Sequence, residues 1–148
     1  MSVEEIIRTN KKLPLESKTI IHFMLVSNTI AETIAKALKP YDVSAQQFNV
    51  LRILRGQDGK PANLSTINDR MITKMSNTTR LVDKLLLKGY VDRMVCPSNR
   101  RKIEINITDK GKKELLKMDK AVADAENTLL KNLSTKEMEQ LNEIFDKF

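Results

Sequence analysis

A mainly α fold with one small β-hairpin is what this sequence of 148 residues predicts, and three observations carry it. Glycine and proline number four each, so the chain has few places to turn, and long helices with short connections follow. Apolar residues recur at steps of 3 and 4 through most of the chain, the period of a helix with one covered face. Just after Gly89 the period changes to 2: Ile103, Ile105 and Ile107 alternate with Lys102, Glu104 and Asn106, as on a strand with one covered face.

Taken in order, Val3 to roughly Lys11 is a short helical candidate, broken by Leu13-Pro14-Leu15. Glu16 to Lys39 reads as one long helix, with Ile20, Phe23, Ser27, Ile30, Ile34 and Leu38 on one stripe. Ile21, Met24, Leu25, Ala31, Ala35 and Ala37 widen that stripe beyond one face, so the helix needs several partners, a second subunit among the options. Pro40 stops it. Ser44-Ala45-Gln46-Gln47 is a capping box opening a helix through Phe48, Val50, Leu51 and Leu54, which Gly56 to Lys60 ends. Asn63 caps a third helix carrying Ile67 and Met71.

A fourth helix begins near Ser76 and ends at Gly89, a C′ glycine. Its faces separate: Thr78, Leu81, Val82, Leu85 and Leu86 point inward, while Asn77, Arg80, Lys84 and Lys88 line the other side. The hairpin follows, Tyr90–Val95 returning as Lys102–Ile107 through a Pro97-Ser98-Asn99 turn with Arg100 and Arg101 at its tip. Thr108 caps a fifth long helix with a seam at Leu115, Met118, Val122, Ala125 and Leu129. A second capping box, Ser134 to Glu137, opens the last helix with Met138, Leu141, Phe145 and Phe148.

Composition narrows the function. At 41% hydrophobic and 30% charged the chain can bury a core and is not of the disordered type. One cysteine excludes an internal disulfide, and with one histidine no zinc site of the usual Cys/His kind can form. The N-terminus lacks the apolar run of a secretory signal and no stretch approaches 18 apolar residues, so the expected location is the cytoplasm. No Gly-rich phosphate loop and no Ser-His-Asp set is present; neither enzyme activity nor a cofactor is expected. From Ser76 to Lys113 ten Lys and Arg stand against four Asp and Glu, which leaves one of the chain's seven net positive charges for everything else. Charge gathered in one segment suggests a face for an acidic partner, most often nucleic acid; a solvated surface is the plainer alternative.

Two short helices in succession, the second apolar behind and basic in front, form a helix-turn-helix candidate, and a β-ribbon directly after it is a wing. Such a helix fits the major groove, where Asn77 can pair with adenine and Arg80 with guanine or a phosphate. Lys74, Lys84 and Lys88 suit the phosphate backbone, and an arginine at the wing tip can enter the adjacent minor groove. The candidate DNA contacts are Lys74, Ser76, Asn77, Thr79, Arg80, Lys84, Arg100 and Arg101, with Arg101 favoured over Arg100 because neighbours on a ribbon point oppositely. Asp83 on the same face reads as a partner for Arg80 or for a wing arginine. Cys96 reads as a small structural residue and His22 as a packing residue; a redox or pH role is the alternative for each. The seven methionines are dispersed and read as core filler.

The run from Asn68 to Gly111, above all TRLVDKLLLKGYVDR and NRRKIEINITDKG, resembles the MarR (multiple antibiotic resistance regulator) family. With the flanking helices the resemblance covers nearly the whole chain. It implies a winged helix-turn-helix flanked by N- and C-terminal dimerisation helices, in a homodimeric bacterial transcription regulator, usually a repressor, gripping a pseudo-palindromic operator. It further implies a single domain over 1–148, with residues 44–107 as the DNA-binding lobe and 1–39 and 109–148 as the dimer platform. Many members release DNA when a small, often anionic aromatic effector or an oxidant changes lobe spacing. There is one departure: the family usually has Asp two residues before the second wing arginine, where this chain has Asn99, so Arg101 would be held by a neutral bond in place of a charge-assisted one. The alternative function is a winged-helix module for protein–protein contact without specific DNA binding.

Overall fold

Local signals set most of the helix ends. The computed structural model describes residues 1–74 and 77–148. Helix α1, Val3–Ile6, opens on a Ser2/Glu5 capping box. It ends well short of the expected Lys11, because Arg8 adopts the left-handed conformation (φ 56°) and Val3 is the one buried residue available to hold a longer helix. Helix α2, Leu15–Leu38, runs into a tight 3₁₀ turn at Lys39–Tyr41, where Pro40 stops it. Helix α3, Ala45–Arg55, begins at the Ser44/Gln47 box: Ser44 Oγ accepts the Gln47 amide (3.1 Å) and Gln47 Oε1 accepts the Ser44 amide (2.9 Å). Helix α4, Leu64–Arg70, is capped by Asn63, whose Oδ1 accepts the Thr66 amide at 2.8 Å. Helix α5, Thr78–Leu87, ends at Gly89 in the left-handed region (φ 73°).

Strands β1, Val91–Cys96, and β2, Asn99–Ile107, pair antiparallel, from Val91 opposite Ile107 to Val95 opposite Ile103. The register then jumps, and Cys96 faces Asn99. Pro97 and Ser98 alone make the turn, and Asn99 belongs to the strand instead of the expected three-residue turn. Arg100, Arg101 and Lys102 loop out between the last two pairs as a bulge. Ala62 adds a short bridge to the outer edge of β2, exchanging both backbone bonds with Ile105 at 2.8 and 3.0 Å.

Helix α6, Asp109–Leu130, and helix α7, Thr135–Phe145, complete the chain. One core joins α3, α4, α5, the hairpin and the first half of α6 around Leu51, Ile67, Leu85, Ile105, Leu115 and Met118, all fully buried. Outside that core the helices are poorly covered. Helix α2 buries Leu38, while Ile20 (53% exposed), Met24 (61%) and Ile30 (44%) face outward. Among the described residues none of α7 is buried; Phe145 and the following Phe148 meet Phe23 of α2 with ring centroids 5.8 Å apart in each pair. Among the described residues no helix is long and apolar enough to cross a membrane.

Candidate nucleic-acid interface

Helix α5 is held from behind. Thr78, Leu81, Val82 and Leu85 are buried, and the Thr78 hydroxyl donates to Asn68 Oδ1 (3.1 Å), tying the start of α5 to α4. This leaves Thr79, Arg80 and Lys84 exposed on the front, with Lys74 exposed in the preceding turn. Thr79 was not separated from the apolar face by spacing alone; the structure puts it beside Arg80. Ser76 lies outside the described residues.

Asn77 is placed differently from the sequence expectation. It is the N-cap residue of α5 (φ −113°, ψ 30°) and not part of the helical front. Its Oδ1 is buried and has no hydrogen-bond partner among the described residues. A buried amide oxygen without a partner is costly, so this side chain is under tension toward rearrangement or toward a donor brought from outside.

Of the two partners expected for Asp83, Arg80 or a wing arginine, the structure has the second: it pairs with Arg93 on the wing strand β1 (3.1 Å). It thus works as a strut between recognition helix and wing strand. Both ends are about half exposed, which limits its worth to roughly 1 kcal/mol or less. Lys88, expected toward the phosphate backbone, instead reaches Asp42 at 2.9 Å and is half buried. Among the described residues Lys74, Arg80, Lys84, Arg100 and Arg101 enter no ion pair. Cations left without internal partners are the ones a phosphate chain can use.

At the wing tip Asn99 Oδ1 accepts the backbone N–H of Arg101 (3.0 Å). The contact is to the main chain and not to the guanidinium, so Asn99 shapes the bulge that carries Arg100, Arg101 and Lys102, all three exposed. The alternation of the strand places Lys102 outward without marking it as a DNA contact. Its place in an unbroken run of three cations was the available signal. Cys96 is buried under the tip with Sγ 3.1 Å from Ser98 Oγ, and His22 is exposed on α2. Among the described residues no group of three or more His, Cys, Asp or Glu is placed to hold a metal.

An exposed basic helix front beside an exposed basic wing is the arrangement that known proteins can test. A profile of the MarR family matches residues 43–103, from the end of the 3₁₀ turn to β2. Over these residues the chain is similar to the MarR family. This is a family of transcription regulators and not of enzymes. Among its relatives, the transcriptional repressor MprA of Escherichia coli strain K12 is 26% identical over 124 residues, 84% of this chain and 70% of MprA. The multiple antibiotic resistance protein MarR of the same strain is 29% identical over 112 residues, 74% of this chain and 76% of that protein. In structure, a mutant E. coli MarR complexed with operator DNA matches with a TM-score of 0.77 at 25% identity, covering 90% of this chain and 93% of that one. A MarR-like regulator from Bacillus cereus matches in fold with a TM-score of 0.81 at 21% identity. The winged helix-turn-helix expected from the sequence is therefore the fold of this chain.

Proposed function

We propose that this protein is a regulator of the MarR type, binding DNA sequence-specifically as a cytoplasmic homodimer on a pseudo-palindromic operator, most simply as a repressor. The observation that carries the reading is the set of exposed cations that enter no ion pair among the described residues: Lys74, Arg80 and Lys84 around α5, and Arg100 and Arg101 on the wing. In this reading α5 lies in the major groove with Thr79 and Arg80 at base edges and Ser76 and Asn77 at its leading end. Arg101 enters the flanking minor groove. The Asp83–Arg93 strut keeps helix and wing at the spacing the two grooves demand.

The dimer half of the reading rests on uncovered apolar surface. Helices of residues 1–39 and 109–148 leave Ile20, Met24, Ile30 and Phe145 exposed, and α7 packs on its own chain chiefly through phenylalanine rings. Several exposed large apolar side chains on these helices suit a surface that another chain covers. A second copy would cover it and set two lobes, residues 44–107 of each chain, about one helical turn apart on one face of the duplex. Relief by a small effector belongs to the same reading.

The test is selection of bound DNA from a random pool, followed by a salt titration of the selected site. If Lys74, Lys84 and Arg100 each neutralise one phosphate in both subunits, log K should fall against log salt with a slope of about −5. Arg101→Ala should weaken binding by about 1–3 kcal/mol. A flat salt response with no enriched sequence would refute DNA binding and leave a protein-contact module as the function.

A further inference from the structure

Among the described residues of the lobe, four large apolar side chains stand exposed: Ile72, Leu87, Met94 and Val95. Met94 and Val95 are about half exposed on the wing strand, and Leu87 lines a cleft with Ala31 and Ala35 of α2. Ile72 differs from these. It is 87% exposed and belongs to the turn between α4 and α5. It also lies outside the helices of residues 1–39 and 109–148, so the dimer face argued above does not cover it.

The outward pose is built into the turn. Met71 closes α4 in an extended conformation (φ −63°, ψ 136°), and its own side chain is buried. On extended backbone neighbouring side chains point oppositely, so burying Met71 turns Ile72 out. The Ile72 N–H donates to Asn49 Oδ1 of α3 at 2.9 Å, which holds the backbone in that pose. On the other side of the turn, the Thr78 hydroxyl bond to Asn68 Oδ1 (3.1 Å) clamps the start of α5 to α4. Ile72, Thr73 and Lys74, all exposed, lead toward the end of α5 that carries Thr79 and Arg80.

An isoleucine side chain has no donor, acceptor or charge. It can neither hold a phosphate nor hydrogen-bond a base edge. What it can do is leave water, and each methyl or methylene group so covered strengthens binding severalfold. The major groove offers one apolar feature that differs between bases, the C5 methyl group of thymine.

We propose that Ile72 is a specificity residue that packs on the methyl group of one thymine in each half-site, while Lys74 holds the backbone nearby. The inference rests on the DNA-binding reading above. It adds a base contact from outside the recognition helix, made by apolar burial and not by hydrogen bonds.

The experiment uses the full chain and the site enriched from a random pool. Each thymine is replaced in turn by deoxyuridine, which deletes the methyl group and keeps every hydrogen-bonding group. Wild type should lose about fourfold in affinity at one thymine per half-site, the worth of one methyl group returned to water. Ile72→Ser should bind the unmodified site more weakly and show no further loss on that replacement. Ile72→Val keeps a branched apolar side chain and should retain most of the loss. All three proteins should share one salt slope and one urea midpoint, because the side chain carries no charge and is exposed. On a site bound with the steep salt slope, a deoxyuridine loss that is absent throughout, or equal in wild type and Ile72→Ser at every thymine, would overturn the role of Ile72 and leave the regulator standing. No enriched sequence with a flat salt response would refute the DNA-binding reading, and the role of Ile72 would fall with it.

Discussion

Gly111→Ala asks whether the junction between wing and α6 is as tight as its geometry states. Gly111 is the third residue of α6, where the backbone passes over the carbonyl of Tyr90. A Cβ built there would lie 2.1 Å from Tyr90 O and 2.9 Å from Ile107 Cγ1. Ordinary contact needs about 1 Å more, and backbone, not a flexible side-chain end, must yield. The nearest thing to yield is the bond from the Thr108 amide to the same Tyr90 oxygen (3.0 Å), next to the Thr108 hydroxyl bond to Gly89 O (2.7 Å). Overpacking costs about 1–3 kcal/mol and a lost hydrogen bond about 1 kcal/mol. Against this, alanine in a helix gains up to about 1 kcal/mol over glycine. The net expectation is a loss of about 2 kcal/mol, which lowers the urea midpoint by about 1 M at an m-value near 2 kcal/mol/M. Protomer concentration must be held fixed, since association would shift the midpoint. Gly56→Ala is the internal control. Its φ of −68° suits any residue and the new Cβ meets Ile53 O at 3.4 Å, so it should be neutral or stabilise by up to about 1 kcal/mol. Gly111→Ala as stable as the wild type would refute the reasoning, because it would mean the junction opens at no cost.

Four further outcomes follow from the same geometry. Asn99→Ala removes the acceptor for the Arg101 amide and should weaken operator binding by up to about 1.5 kcal/mol, whereas Asn99→Asp, which keeps an acceptor, should bind near wild-type strength; equal binding by all three in a filter assay would mean the Asx turn does not position the wing. Asp83→Asn breaks the strut to Arg93 and should cost folding stability less than about 1 kcal/mol, yet shift DNA affinity severalfold through wing placement; unchanged affinity would reduce the pair to surface decoration. Phe145→Glu places a charge in the apolar end of α7 and should drive the protein toward monomer in sedimentation velocity; a wild type already monomeric at micromolar concentration would remove the dimer reading altogether. The Glu137 carboxylate accepts the Ser134 amide and is held below its ordinary value near 4.5. A depressed carboxylate contributes stability that is complete above that ordinary value and is lost as pH falls through the lower folded value. Protection of the α7 amides from exchange should therefore fade below about pH 4.5 in the wild type and lose that dependence in Glu137→Gln.

The features legible in the sequence were those whose partners lie three or four residues away. Both expected capping boxes, at Ser44/Gln47 and Ser134/Glu137, formed as read, because a serine and its N3 residue meet in any helix they begin. The two faces of α5 followed from its period, and the wing followed from the alternation of three isoleucines. Less legible were features that depend on how far a marginal element extends, such as the early end of α1 at Arg8. The shift of the helix start from near Ser76 to Thr78, which makes Asn77 the N-cap, also escaped spacing arguments. It left Asn77 half-buried, with its Oδ1 turned inward, in place of the exposed front.

By itself the sequence determined the order of helices and hairpin, the gathering of positive charge between Ser76 and Lys113, and the likeness to a family of regulators. These are properties of local period and composition, which survive any arrangement of the elements in space. Only the tertiary structure decided which charges remain available. Lys88 is taken up by Asp42, 46 residues distant, and Arg93 by Asp83 across a turn of the chain, while Arg80, Lys84, Arg100 and Arg101 enter no ion pair among the described residues. It also decided that Arg100, Arg101 and Lys102 bulge out together. Charge pairing falls off with distance in space and not along the chain, so no count of residues could assign those partners.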